Sequence, residues 1–227
     1  MKAITDVAAD FDAIADALAC ETARETLTPA ERALLTHVPA NARHAIDVGC
    51  GDGVITRVLA TRGMRVVGLD VSPRMTALAR ARTDPGLRIQ YRHDDVMTAD
   101  LPERTFDVVV SVAVAHHLAL DVIVPRLVRL VAPGGTLLLQ DVMNRRGLSR
   151  VPINVAAMFS RQVRRLTAPS RITSRVAAAY LTHGAGEVYL DASAVASVYA
   201  ALLPGARVYH HLEWRYSVVW RAPEQRA

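Results

Sequence analysis

The residues best able to do chemistry stand in one short run, Asp47-Val48-Gly49-Cys50-Gly51-Asp52-Gly53, and at three later points: Asp70, the pair Asp94-Asp95, and the pair His116-His117. Glycines at alternate positions let a turn take positive φ and bring its backbone against a ligand, and a helix starting from such a turn offers free N–H groups. A nucleotide-like ligand suits that arrangement. The spacing differs from a dinucleotide pyrophosphate turn, because Val54 stands where the third glycine of G-x-G-x-x-G would fall. Asp47, just ahead of the first glycine, repels phosphate and attracts a cation, so a ligand with a positively charged head fits better than NAD. Asp70 lies 23 positions further on, where a strand-end carboxylate accepts from two ribose hydroxyls. Asp95 is placed to accept from an exocyclic amine, with Asp94 as its rival. His116 and His117 have the near-neutral basicity needed to take a proton from a hydroxyl, phenol or protonated amine, or else they only fix their loop. No further His or Cys stands at ligand spacing beside them, so no metal is expected.

The elements that must position these groups can be read from periodicity. Ile4, Val7, Phe11, Ile14 and Leu18 form the stripe of an amphipathic helix, and a second helix opens with a Thr28-x-x-Glu31 capping box and Pro29. From His44 short apolar runs alternate with helical patterns: strands at 44–48, 64–70, 87–92, 106–112 and 136–142, and helices at 53–62, after Ser72-Pro73, and from Asp121 to Val131. Gly134-Gly135 reads as a turn before the fifth strand. That rhythm means βαβ units and a parallel sheet covered on both faces. All the candidate residues then fall at strand carboxyl ends, the edge where open α/β sheets bind ligands. Residues 143–186 hold two helical patterns, Val155 to Leu166 and Ile172 to Leu181. A last helix starts at Asp191 and buries Val195, Val198, Tyr199 and Leu202, and two strands around 207–211 and 213–220 pair antiparallel, with His210 and His211 at their turn.

DVGCGDG, the strand-end Asp70, HDDV, FDVVVSVAVAHHL and LVAPGGTLLL occur in that order over residues 44–142, and together they resemble the class I S-adenosylmethionine-dependent methyltransferases of the small-molecule type. The resemblance implies an α/β, Rossmann-like, seven-stranded and mostly parallel sheet with helices on both faces, an antiparallel last strand and a helical lid inserted after strand 5. It implies one domain over 1–227: N-terminal helices at 1–40, a cofactor-binding core at 41–142, a lid or substrate insert at 143–186, and a C-terminal helix and strand pair at 187–227. The cofactor would be S-adenosylmethionine, leaving S-adenosylhomocysteine. Gly49, Cys50 and Gly51 would pass its methionine part, Asp47 would attract its ammonium, and Asp70 with Val71 would bind the ribose. Asp95 or Asp94, with Val96 and Met75, would meet the adenine, and Ser111, Val112 and Ala113 would line the site beyond the fourth strand. His117 and His116 are the implied candidates for a catalytic base.

Of 227 residues 51% are apolar and 22% charged, enough for one sizeable core and against disorder. No run reaches the roughly 18 uncharged apolar residues of a membrane span. Asp6, Asp10, Asp12 and Asp16 interrupt any leader-like stretch, so a cytoplasmic protein is expected, with Cys20 and Cys50 unpaired. The net charge of +5 is concentrated in 141–175, where eight arginines face the single acid Asp141. A basic face lacking interleaved aromatics is weak support for nucleic acid, and a small organic acceptor, methylated on oxygen or nitrogen and of secondary-metabolite character, is expected instead. The competing expectation is a related fold that binds the sulfonium but shapes a rearrangement or serves as a binding subunit. The oligomeric state is not legible.

Overall fold

Five strands carry the β-branched runs: β1 (His44–Val48), β2 (Arg65–Asp70), β3 (Ile89–His93), β4 (Phe106–Val112) and β5 (Val131–Val142). They run parallel, and β6 (Arg207–His211) and β7 (Arg215–Arg221) form an antiparallel pair. The pair is attached through β7, which lies antiparallel between β5 and β6, so the order is β3-β2-β1-β4-β5-β7-β6. The chain thus moves outward from β1 to β3 and returns to place β4 on the other side of β1. Such a reversal opens a crevice at the carboxyl ends of the two central strands. The computed structural model describes residues 2–21, 27–144, 174–184, 187–212 and 214–224.

Helices cover both faces: α1 (Ile4–Ala19), α2 (Pro29–Leu34), α3 (Val54–Thr61), α4 (Pro73–Ala81), α5 (Leu120–Leu130), α6 (Ser174–Gly184) and α7 (Ala192–Leu202). Alternation along the strands divides the core in two. Ile46, Val48, Val109, Leu137 and Leu139 pack with α5 and with Val195 and Tyr199 of α7, whereas Ala45, Val108, Val110 and Leu138 pack with Leu34, Ile55 and Leu59 on the other face. Because both faces are covered, β4 reads as a continuous apolar run. The Thr28–Glu31 capping box is formed in both directions, with bonds of 2.7 and 3.2 Å.

Three sequence expectations change. The fifth strand starts at Val131, not 136, and pairs with Phe106 before its register shifts, so Gly134-Gly135 lies inside an irregular strand rather than in a turn before it. The preceding helix accordingly ends at Leu130. His210 and His211 belong to β6, opposite Tyr216 and Arg215, and do not occupy the turn. The Val155–Leu166 helical pattern and the insert's arginines before Arg175 lie outside the described residues. Both cysteines are free thiols, Cys20 exposed and Cys50 buried. Among the described residues no helix is long and apolar enough to cross a membrane.

Candidate active site

The glycine turn joins the end of β1 to α3, and its backbone is tied to the neighbouring strand: Gly49 and Cys50 N–H donate to Leu69 O at 2.7 and 3.0 Å. Gly49, Gly51 and Gly53 all have positive φ, at 72°, 53° and 82°. Their reasons differ. A Cβ on Gly49 would overlap the Val114 side chain, so this glycine admits the loop after β4, whereas a Cβ on Gly51 would meet nothing within 4 Å. Gly51 therefore faces open space at the centre of the carboxyl edge.

Asp47 is buried beneath this turn, 2% exposed, with Thr56 Oγ1 donating to its Oδ2 at 2.6 Å. Burial pushes its carboxyl up to about 7, against the Thr56 hydrogen bond that favours the charged form. A cation arriving above it would restore the ordinary ionised state. Asp70 accepts from Gly51 N–H at 2.8 Å and from Ser72 N–H at 2.9 Å, one bond on each oxygen. A carboxylate has about four lone-pair sites, so two remain for hydroxyl donors. Burial raises its pKa despite those two bonds.

Asp95 closes a local turn, accepting from Met97 N–H at 2.9 Å on one oxygen. Its rival Asp94 is committed to Arg92 at 2.7 Å and to Asp95 N–H at 3.0 Å. Val96 is buried, and its carbonyl accepts from the buried Arg126 at 2.9 Å, which holds this loop against α5. Val71 O lies 3.1 Å from the His93 ring. Met75 is buried against Ile14 and Ala15 of α1. Ser111 Oγ donates to Val48 O at 3.0 Å, locking β4 to β1, Val112 is half-buried, and Ala113 takes φ of 59° as the chain leaves β4. A non-glycine residue in that region is held by its surroundings.

Helix α1 lies across this edge by three polar attachments that sequence reasoning did not identify. Asp12 accepts from Ser72 Oγ at 2.6 Å, Asp16 pairs with Arg74, and Arg82 joins Asp52 at 2.8 Å to the carbonyls of Leu18 and Glu21. The apolar stripe marked α1 as packed, but nothing in its spacing said onto what.

The histidines form the other wall. His116 is held doubly by Asp141 at the end of β5, with its N–H at 2.9 Å from Oδ2 and its Nδ1 at 2.6 Å from Oδ1. Asp141 is 1% exposed. It was visible in the sequence as a strand-end acid but read only as part of a charge count. His117 is buried, with Nδ1 3.4 Å from Glu187 Oε1 in a geometry that makes no hydrogen bond. Burial, then the neighbouring His116 and His183, push its imidazole down to about 3. The expectation that no further His or Cys stands beside the pair is corrected here: His183 of α6 packs edge-on against His117 at 4.9 Å between ring centroids, and Phe11 contacts both rings. His183 is 66 positions from His117, beyond any local signal. His211 instead bonds Ser217 and lines a cavity of about 220 Å³ with Leu34, His37 and Tyr209, which none of the three carboxylates Asp47, Asp70 or Asp95 touches.

A buried carboxylate awaiting a cation, an open glycine and a strand-end acid with spare acceptor sites fit the ammonium, methionine and ribose of a nucleoside sulfonium. Residues 46–139 match the family described as "Methyltransferase domain". An uncharacterized methyltransferase of Mycobacterium tuberculosis (strain ATCC 25618 / H37Rv) is 33% identical over 193 residues, spanning 82% of this chain and 90% of that one. The trans-aconitate 2-methyltransferase of Methylobacterium radiotolerans is 42% identical over 111 residues, 47% of this chain and 41% of its own. Among solved structures, that of a DhpI–SAH complex superposes with a TM-score of 0.62 at 20% identity, covering 98% of each chain. The chain belongs to the class I S-adenosylmethionine-dependent methyltransferases. Its cofactor is S-adenosylmethionine and its sheet is the one that family membership implied.

Proposed function

We propose that the protein methylates an oxygen or nitrogen of a small organic acceptor, of the kind found among secondary metabolites, in the chamber between the glycine turn, α1 and the His116-His117 loop. When bound, the cofactor supplies an electrophilic methyl group on a sulfonium. Asp47 would hold its ammonium, Asp70 its ribose hydroxyls, and Asp95 with Val96 its adenine, while Gly51 leaves the backbone clear for its methionine part. The rest of the task is alignment and exclusion of water, which supply several kcal/mol without a covalent step. Phe11 and α1 close the chamber, and Asp141 fixes the His116 ring through Nδ1, leaving Nε2 as the atom that takes an acceptor proton.

The observation that carries this reading is the His116–Asp141 pair, held at 2.6 Å on the same sheet edge as the carboxylates of the cofactor side. An oriented imidazole beside a methyl-donor site serves an acceptor that must lose a proton. A small acidic acceptor is further supported by the arginine-rich segment 141–175 and by the similarity to an enzyme named for trans-aconitate. The test is methyl transfer from isotopically labelled S-adenosylmethionine to a panel of hydroxy acids, polycarboxylates, phenols and amines, with bulk RNA as a further acceptor. Label entering a small acceptor supports the proposal. Label entering RNA alone, or cofactor binding with no transfer to any of these, would overturn it.

A further inference from the structure

We infer that His116, His117 and His183 form a binding site for one divalent transition-metal ion of the zinc type, on the acceptor side of the chamber. One ring nitrogen from each of the three lies within 4.8 Å of the others. Zinc–imidazole bonds of about 2.0–2.1 Å place tetrahedral ligand atoms about 3.4 Å apart, so closure requires ring shifts of about an ångström.

Three further observations distinguish this cluster from ordinary aromatic packing. First, two rings carry a carboxylate on Nδ1: Asp141 on His116 at 2.6 Å, and Asp10 on His183 at 3.1 Å. Metal-bound histidines are oriented in this way, with the second nitrogen left as the ligand. Second, both ring nitrogens of the buried His117 and the nearby Glu187 Oε1 have no hydrogen-bond partner among the described residues. Buried polar atoms are seldom left so; an ion on Nε2 of His117 would satisfy that nitrogen and fix the N–H on Nδ1, which faces Glu187 Oε1 at 3.4 Å. Third, among the described residues the charges paired with or beside the three imidazoles are Asp141, Asp10 and Glu187 against Lys2, whose Nζ pairs with Asp10 at 2.8 Å. Three carboxylates against one ammonium leave two negative charges for a divalent ion to balance. Imidazole donors with carboxylates behind them select zinc, cobalt, nickel or iron rather than magnesium or calcium.

The consequence for catalysis rests on the acceptor-side placement proposed above. Three protein ligands leave a position open for an acceptor oxygen, whose proton the ion makes more acidic. In the ion-loaded protein His116 is then a ligand, and in the ion-free protein it is the proton acceptor.

The full-length protein, stripped with chelator and dialysed, should bind one equivalent of Co²⁺, read by visible d–d absorption, and Zn²⁺ should displace it. His183→Ala and His116→Ala should abolish the absorption. Asp10→Asn, which keeps all three imidazoles, should weaken Co²⁺ by about 10–100-fold with an unchanged circular dichroism spectrum. Folded wild-type protein that takes up no Co²⁺, or uptake that both histidine variants retain, overturns the metal site. S-adenosylhomocysteine binding, measured calorimetrically on the same samples, separates the two readings: its loss with Co²⁺ uptake intact would count against the methyltransferase chamber and not against the metal.

Discussion

Asp47 offers the sharpest test of the proposal that this site holds a cation. Its carboxyl is pushed from the ordinary 3.8 to about 7 by burial, so the free protein carries an extra proton near neutrality that the unfolded chain does not. The sign follows directly. Between those two values this group binds more proton in the native than in the unfolded state, so the Asp47 contribution to stability is fullest below about pH 4 and is lost as pH rises through about 7. A separation of about 3 at about 1.36 kcal/mol per unit makes the decline on the order of 4 kcal/mol. A cofactor ammonium reverses this by favouring the ionised carboxyl. If the pKa in the complex falls below about 4.5, affinity for S-adenosylhomocysteine should rise about tenfold from pH 5.5 to 7, with nearly one proton released per binding event at the acidic end. The cofactor's own amine stays charged through that window, because the carboxylate beside it raises its pKa above that of a peptide α-amino group.

The assay is isothermal titration in pairs of buffers with different ionisation enthalpies, on the wild type and on Asp47→Asn. Asp70, also raised by burial, contributes in the same direction because hydroxyl donors favour its ionised form. The asparagine variant isolates Asp47: its binding should be weaker at pH 7 by about 1.5–3 kcal/mol and its pH slope flattened. Flat wild-type affinity across the window, or proton uptake on binding, would refute the placement of a cation over Asp47.

Asp70→Ala should weaken cofactor binding by about 1.5–3 kcal/mol in the same calorimeter, since it removes a charged hydrogen-bond acceptor; unchanged affinity would reassign the ribose contact. Gly51→Ala should cost about 1–2 kcal/mol of stability for its positive φ, and Gly49→Ala should cost about 1–3 kcal/mol beyond that because its Cβ overlaps Val114. Equal denaturation midpoints for the two would show that the Val114 contact is not restrictive. Asp141→Asn should lower turnover on an identified acceptor by about 10²–10⁴ while leaving S-adenosylhomocysteine affinity intact, because the asparagine does not support a charged His116; unchanged kcat would reduce Asp141 to a structural role.

The half of the candidate site proposed to hold the cofactor was legible in position because its signals are local. Asp47, the three glycines and Asp70 each sit within a few residues of a strand end, and the strand–helix alternation that predicts a parallel sheet also predicts that those ends share one edge. Even there, spacing did not say that Gly49 serves packing and Gly51 faces open space. The misread start of β5 has a similar cause: Gly134 and Gly135 are turn residues by type, but pairing of Val131 with Phe106 draws the preceding segment into the sheet. Tertiary hydrogen bonding overrode a local preference.

The half proposed to meet the acceptor was much less legible, for a reason built into the topology. His116 and His117 come from the loop after β4, Asp141 from the end of β5, Asp10 from α1, and His183 and Glu187 from the far side of the insert. No periodicity links positions so separated. What brings them together is the pairing of the consecutive strands β4 and β5, and the polar anchoring of α1 by Asp12 and Arg82, which carries Asp10 and Phe11 over the same edge. A helix fixed through Ser72 at one end of this edge and through the Asp10–His183 contact at the other links the carboxylate side to the histidine side. Loosening α1 by Arg82→Ala should therefore disturb both half-sites together, whereas changes at Asp70 or at His183 should each remain confined to one.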